Sequence, residues 1–204
     1  MPTTMKLMRL VAVLLPLLAI PTTSYAALIT YSTLGRFDGG AFATSPTITV
    51  GGGSITFNAL GSTSVDPGNI SYGTFDSNAI GSGGMIPVGT TFDLQVNQTT
   101  PSVGIATASA TLSGTITTTS STVRLVFSTT TFTIGGATYT IDQPLNGIAI
   151  VSPASNTGLT TIQGAADTVV PEPATWLMLT LGFLPAARYV RNRSRALSSN
   201  AQGG

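Results

Sequence analysis

The sequence predicts an all-β domain, an antiparallel β-sandwich or jelly-roll-like fold, flanked by an N-terminal signal helix and a C-terminal hydrophobic helix. Between Ala27 and Val170 the chain is rich in Gly, Ser, Thr and β-branched residues and contains no Lys and no Glu. Such residues favour strands and turns. Several segments alternate apolar and polar side chains, and no segment combines a helical period with helix caps. The middle of the chain is therefore expected to be a sheet protein.

The amino-terminal half of this domain predicts short strands joined by turns. Four segments are expected to be strands: residues 28–34, 46–50, 54–60 and 72–75. Residues 66–69, Asp-Pro-Gly-Asn, have the chemistry of a turn. Residues 78–89 hold four glycines and a proline, so we expect them to form a loop.

The carboxyl-terminal half contains the clearest strand, at residues 91–98. Phe92, Leu94 and Val96 share one face and polar residues occupy the other, as in a half-buried antiparallel strand. The segments after it are expected to continue the sheet as strands at residues 106–119, 122–134, 138–141 and 147–151.

Glycines mark the connections in this half. Gly135-Gly136 is a hairpin signal, because both positions tolerate a positive φ. Residues 164–169 look like an exposed linker that ends the domain at residue 163. A right-handed β-solenoid is the alternative architecture, although no self-similarity with a period of 20 to 50 residues supports it.

A secretory signal peptide is expected at residues 1–26. Two basic residues precede an apolar run at residues 10–20, and small residues occupy positions −3 and −1 of a cut between Ala26 and Ala27. This order is the pattern of a cleaved export signal, and the run is too short to span a membrane. Signal peptidase is therefore an expected partner, and the domain from residue 27 to 163 is expected to be extracytoplasmic.

The last part of the chain, residues 170–195, has three parts in a fixed order. The tripeptide Pro171-Glu172-Pro173 comes first. An apolar run at residues 174–187 follows, and its large side chains are Trp176, Leu177, Leu179, Leu181, Phe183 and Leu184. Four arginines follow the apolar run and form a basic segment that would stop transfer through the membrane: Arg188, Arg191, Arg193 and Arg195. Residues 196–204 are expected to be a disordered terminus.

The apolar run is a marginal membrane span. Its 14 residues would make a helix of about 21 Å, which is shorter than the roughly 30 Å hydrocarbon core. Pro185 also interrupts the helix, and the arginines after it favour the cytoplasmic side. We therefore expect a transient association with the inner membrane, with the preceding domain outside the cytoplasm.

The order of these parts resembles the PEP-CTERM sorting tail of Gram-negative bacterial surface proteins. Trp176, three residues after Pro173, makes the tail similar to the subgroup with a Trp at that place. The resemblance covers residues 170–204 and implies that exosortase recognises and processes the tail. The middle of the chain resembles the Ser/Thr-rich β domains of other such precursors. These likenesses imply a protein that is membrane-associated through its tail and then reaches the cell surface or the extracellular space.

Charge and composition exclude several classes of function. Between the two terminal segments the chain keeps only Arg36 and Arg124 against six aspartates, a formal charge of −4, although the whole precursor carries +1. Proteins that bind nucleic acids usually carry clustered basic residues, so this composition argues against nucleic-acid binding. No cysteine is present, so neither disulfides nor thiolate metal sites can form.

The residues available for catalysis are few. The chain has no His and no Cys, and its one Glu is Glu172, so Ser-His-Asp and Cys-His arrangements cannot be built. A hydrolase would need a pair of aspartates, for which Asp38, Asp93 and Asp142 are the candidates. Asp38 and Asp66 lie in loops that could offer oxygen ligands to calcium. Because loop aspartates more often form turns, we expect no enzyme activity, no metal and no cofactor.

The favoured function is a structural or interaction role in the cell envelope or in the exopolysaccharide matrix of a biofilm, with extracellular polysaccharide as a further partner. The alternative is an ice- or carbohydrate-binding β domain. Thr-x-Thr patterns at residues 47–49, 115–117 and 138–140 could align hydroxyls on one strand face, and some ice-binding proteins carry this kind of tail. The aromatic residues that could stack sugars are Phe37, Phe42, Tyr72 and Phe75, but we expect them to pack in the core instead.

Overall fold

Fourteen β-strands make up the computed structural model of the protein, which describes residues 27–79 and 83–168. In chain order they are β1 (Ile29–Phe37), β2 (Thr47–Val50), β3 (Gly53–Ala59), β4 (Thr63–Val65), β5 (Gly68–Ala79), β6 (Gly84–Met85), β7 (Thr91–Thr100), β8 (Gly104–Ser113), β9 (Thr115–Ile116), β10 (Arg124–Phe127), β11 (Thr131–Ile134), β12 (Ala137–Ile141), β13 (Ile148–Ala149) and β14 (Leu159–Thr168). One 3-10 turn, Asn156–Gly158, precedes β14.

The strands form two six-stranded sheets and one small two-stranded sheet. The first sheet, sheet A, has the order β13-β10-β8-β7-β1-β4, and the second, sheet B, has the order β11-β12-β14-β5-β3-β2. The strands β6 and β9 pair with each other. All of these pairs are antiparallel across the described residues. The all-β expectation is confirmed, and the parallel stacking of a β-solenoid is not what these strands form.

The inner faces of the two sheets share one hydrophobic core. Phe92 of sheet A lies 5.0 Å from Phe57 and 4.9 Å from Phe75 of sheet B, measured between ring centroids. All three rings are fully buried. Since one aromatic side chain removes roughly 150–250 Å² from water, these contacts between the sheets are a main source of stability.

A second aromatic group, the tyrosine cluster of Tyr31, Tyr72 and Tyr139 with Phe132, packs elsewhere in the core. Tyr31 of sheet A meets Tyr139 of sheet B edge-on at 6.2 Å, and Phe132 stacks on Tyr139 at 5.4 Å. Each tyrosine hydroxyl has a hydrogen-bond acceptor, as buried hydroxyls require. Burial raises the pKa of all three tyrosines, and that of Tyr139 to about 12.

The strand β5 contains a bulge at Tyr72. Ile162 of β14 pairs with Gly73 and Gln163 pairs with Ser71, so Tyr72 has no opposite residue. Its hydroxyl donates to the carbonyls of Thr140 and Ala165 at 3.0 and 3.3 Å. A β-carbon at Gly164 would overlap the Thr140 carbonyl and lie 2.8 Å from the Tyr72 ring. The absence of a side chain at Gly164 therefore makes room for Tyr72.

Several expectations about individual strands are confirmed. The strand expected at residues 91–98 lies within β7, and its Phe92, Leu94 and Val96 are buried. Gly135 and Gly136 have φ angles of 50° and 85° and join β11 to β12 as a hairpin. The strands expected in the first half correspond to β1, β2, β3 and the middle of β5. The signal helix and the C-terminal hydrophobic helix lie outside the described residues.

Other expectations were wrong. Residues 164–168 are not a linker, because they form the second half of β14 and pair with all of β12. The strand expected at 106–119 ends at Ser113, because Gly114 takes a φ of 123° and turns the chain into β9. The strand expected at 122–134 is two strands in different sheets, β10 and β11.

Two shorter corrections concern the segments beside these strands. The loop expected at residues 78–89 begins with the end of β5 and contains β6. The strand expected at residues 147–151 is reduced to β13, although Ile150 continues the pairing with one further hydrogen bond from its N–H to the carbonyl of Val123.

Candidate functional site

The residues predicted to direct sorting lie almost entirely outside the described part of the chain. This holds for Pro171, Glu172 and Pro173, for the membrane segment Trp176, Leu177, Leu179, Leu181, Phe183 and Leu184, for Arg188, Arg191, Arg193 and Arg195, and for Ala26. Ala27 is described, and it is exposed two residues before β1. Within residues 27–79 and 83–168, no helix is long and apolar enough to cross a membrane.

A groove between sheet B and the edge strands of sheet A brings together polar side chains that are far apart in the sequence. It consists of two adjoining concavities of about 640 and 470 Å³, which share Asp142 and Gln163. The first is also lined by Thr161, Ile141, Ile148 and Pro144. The second extends along Asn69, Ser71 and Thr63. We call these two concavities the Asp142 groove.

Neighbouring strands hold the two shared residues of the groove in place. Asp142 directly follows β12, and its backbone N–H donates to the Gln163 carbonyl of β14 at 2.9 Å. The pairing of Ile141 with Gly164 continues the same ladder. Because β14 lies between β12 and β5 in the sheet, the backbone under the groove is fixed on both sides.

Three polar side chains of the groove are exposed and, among the described residues, make no hydrogen bond that a ligand would have to break. Asp142, Thr161 and Gln163 are exposed, and no hydrogen bond joins their side chains to another residue in the described part of the chain. Gln143 differs, since its side chain accepts the Phe127 N–H at 2.6 Å. The exposed side chains of Pro144 and Ala149 supply apolar surface beside these polar groups. Polar groups next to apolar surface could contact a small molecule or a sugar.

A second polar feature is a threonine quartet on the outer face of sheet B. Thr131 and Thr133 of β11 lie opposite Thr140 and Thr138 of β12. Directly paired residues of antiparallel strands have Cβ atoms about 4.5–5.5 Å apart, so the four side chains form a small regular array of hydroxyl and methyl groups. At the opposite edge of the sheet, Thr47 and Thr56 share a 2.8 Å hydrogen bond.

Two of the three aspartates considered for catalysis make structural contacts. The carboxylate of Asp38, a residue with a φ of 48°, accepts the Thr91 N–H at 2.8 Å. Asp93 forms an ion pair with Arg36 at 2.8 Å. Only Asp142 lines the groove. Among the described residues, no three His, Cys, Asp or Glu side chains converge in the way that a metal site needs.

The aromatic residues considered for sugar stacking are mostly core residues. Tyr72 and Phe75 are fully buried, and Phe37 packs against the core. Phe42 is half-buried, and the Arg36 guanidinium lies 4.3 Å from its ring centroid. Tyr72 and Phe75 therefore cannot reach a ligand, and the expectation that these aromatics are core residues is confirmed for them. The sequence offered one signal for the groove, the polar Asp142-Gln143-Pro144 directly after a strand.

No model of a known protein family matches this chain, and neither a curated protein nor a solved structure matches it significantly.

Proposed function

We propose that the protein is an exported surface or extracellular-matrix protein that is sorted through its C-terminal tail. The observation that carries this proposal is the ordered tail, Pro171-Glu172-Pro173, then an apolar run, then four arginines. The amino-terminal segment agrees, because its basic, apolar and small-residue regions have the order of an export signal. Signal peptidase and exosortase would process the two ends, and the inner membrane would hold the tail transiently.

In this proposal the β domain acts through its surface in the envelope or the exopolysaccharide matrix, without catalysis. We assign the domain to the β-sandwich class, since two six-stranded sheets share one core. The outer sides of the strands carry many Ser, Thr, Asn and Gln side chains, such as Thr56, Thr74 and Gln95. Such side chains donate and accept hydrogen bonds, which suits contact with a hydrated polysaccharide.

Cell fractionation of three chains tests the proposal. The first is the full chain, the second ends after Val169, and the third is the full chain with Pro171, Glu172 and Pro173 changed to Ala. Ending after Val169 leaves β14 intact, because this strand ends at Thr168. We expect the full chain in the envelope and matrix fractions, the second chain free in the medium or periplasm, and the third retained in the inner membrane. Equal distribution of all three chains would refute the proposal.

A second candidate function, ice binding, is favoured by the threonine quartet. Four directly paired threonines form the kind of regular hydroxyl and methyl array that could order water. Thermal-hysteresis measurements on the full chain and on a Thr133→Lys variant test this function. Activity that is present in the full chain and lost in the variant would support it, and the absence of activity in the full chain would exclude it.

A further inference from the structure

We propose that the Asp142 groove binds a neutral, polyhydroxylated glycan chain. This inference rests on the proposed function, and it adds a location and a ligand class. It is carried by the side chains of Asp142, Gln163 and Thr161, which line one open groove.

The size of the groove fits a chain better than a single small molecule. Each concavity, at about 640 and 470 Å³, lies within the range of roughly 300–1,000 Å³ that is typical of ligand pockets. Both concavities include Asp142 and Gln163. A ligand that fills one concavity can therefore continue past these two residues into the other.

The polar groups of the groove match sugar hydroxyls. A carboxylate accepts hydrogen bonds, an amide both donates and accepts, and a hydroxyl does both. Asp142, Gln163 and Thr161 supply one group of each kind. The exposed apolar side chains of Pro144 and Ala149 would contact the C–H groups of a sugar ring, while the hydroxyls of the ring face the polar side chains.

Charge decides which glycans fit. Asp142 carries a negative charge, and neither of the domain's two arginines, Arg36 and Arg124, lines the groove. Uronic acids, sulfated sugars and phosphorylated sugars would therefore meet repulsion from this carboxylate at the centre of the groove. Arg124 lies at the β13 side, where it pairs with Ala149. A neutral sugar can instead donate hydroxyl hydrogens to the carboxylate, which makes a charge-assisted hydrogen bond.

The groove is also held rigid before a ligand arrives. Its central residues lie on or directly beside β12 and β14, where the sheet fixes the backbone on both sides. Binding then requires ordering of only a few exposed side chains. Such a site loses little affinity to the cost of ordering.

Affinity electrophoresis tests the inference. The full chain, purified in a mild non-ionic detergent, is run in native gels that contain dextran, galactomannan or xyloglucan as neutral probes. Alginate serves as the anionic probe and chitosan as the cationic probe. We expect one or more neutral probes to retard the chain. Asp142→Ala and Gln163→Ala should each weaken this binding about tenfold, because each removes a hydrogen-bonding group.

Two matched variants control for changes outside the groove. Asp167→Ala removes an exposed carboxylate from the same strand as Gln163, and Gln95→Ala removes an amide from the outer side of sheet A. Neither residue lines the groove, so both variants should bind as the unchanged chain does. The midpoint of urea unfolding, measured for all four variants, shows that a loss of binding is not a loss of fold.

Three outcomes would overturn the inference. They are retardation by none of the neutral probes, retardation only by alginate or chitosan, and equal binding by the groove variants and the unchanged chain. The proposed function fails separately, through the fractionation experiment. If the unchanged chain reaches the matrix, but the variants Asp142→Ala and Gln163→Ala bind glycan as well as it does, the proposed function stands and the groove is not the binding site.

Discussion

The hydroxyl of Tyr139 is bonded to another buried polar side chain in the core. It donates a 2.6 Å hydrogen bond to Oε1 of Gln98, a side chain that is itself buried. The amide nitrogen of Gln98 is used as well, since it donates to the carbonyls of Ser102 and Ile134. The Tyr139 hydroxyl therefore completes the hydrogen bonding of a buried amide that bridges the two sheets.

Tyr139→Phe should lower the free energy of unfolding by about 1–3 kcal/mol, because it leaves Oε1 of Gln98 buried without a donor. Urea unfolding measures this change. The dependence on denaturant should stay the same, since the aromatic ring and the buried area are kept. An unchanged unfolding midpoint would show that water or another donor reaches Gln98.

The tyrosine cluster also predicts how stability depends on pH. Burial raises the pKa of Tyr31 and Tyr72, and that of Tyr139 to about 12, whereas tyrosine in an unfolded chain ionises near pH 10. Below about pH 10 both states are neutral, so the stabilising contribution is complete. As the pH rises from about 10 to 12, Tyr139 ionises in the unfolded chain but not in the folded one, and the folded state loses on the order of 1 kcal/mol per pH unit at this residue. The raised pKa values of Tyr31 and Tyr72 act in the same direction.

Urea midpoints measured at pH 8, 10 and 11 test this dependence. The midpoint should be steady up to pH 9 and then fall. Tyr139→Phe should reduce the fall, because it removes one of the three titrating groups. A midpoint that stays constant up to pH 11 would contradict the raised pKa values.

At the scale of the strands, β14 is the strand that the sequence pattern did not predict. Its residues Gly164, Ala165 and Ala166 lack the alternation of large and polar side chains that identifies β7. The physical reason is Tyr72, whose ring lies against Gly164 and whose hydroxyl bonds the Ala165 carbonyl. The small residues of β14 make room for the large side chain of Tyr72 on the neighbouring strand β5. The residue pattern within β14 alone does not reveal that such a neighbour exists.

Gly164→Ala should destabilise the domain by about 1–3 kcal/mol, because the added methyl group overlaps the Thr140 carbonyl and crowds the Tyr72 ring. Gly61→Ala is the matched control, since a β-carbon there meets no atom within 4 Å. Thermal unfolding of both variants measures the difference. Equal melting temperatures of the two variants would mean that β14 moves to accommodate the added methyl group without a loss of stability.

The other strands show what alternation can and cannot predict. The strand β7 was predictable, because one of its faces is buried and the other is polar along its whole length. The division of residues 122–134 into β10 and β11 left a trace in the sequence, because the apolar alternation changes phase between Phe127 and Phe132. The passage of the chain from sheet A to sheet B at this point could not be predicted from it. Membership of a sheet depends on distant partners, and local pattern does not encode them.

At the scale of the whole molecule, the position of the domain boundary can be tested by shortening the chain. A chain that ends after Val169 should unfold cooperatively with the stability of the full β domain. A chain that ends after Gln163 loses Gly164–Thr168, and these five residues form the pairing of β14 with all of β12. We expect it to lose cooperative unfolding, as circular dichroism during heating would show. Equal unfolding transitions of the two shortened chains would support the interpretation of residues 164–169 as a linker.

The groove illustrates why a site was harder to foresee than a fold class. Asp142 and Gln163 are 21 positions apart in the sequence, and both look like ordinary polar residues. The antiparallel pairing of β12 with β14 brings them together. Because β14 itself was not recognised, its neighbours could not be inferred. Asp38 was easier to assign, since an aspartate before two glycines is a turn former by local chemistry alone.

The central position of β14 has a mechanical consequence. A force that pulls on the residues after Thr168 enters the domain along a strand that is paired with β5 on one side and β12 on the other. The hydrogen bonds of an antiparallel pair run perpendicular to the strands, so such a force loads many of them at once, in shear. An edge strand such as β2 is paired on one side only, with β3, so the same force would meet fewer hydrogen bonds there. The domain is therefore built to withstand tension applied through its carboxyl-terminal end.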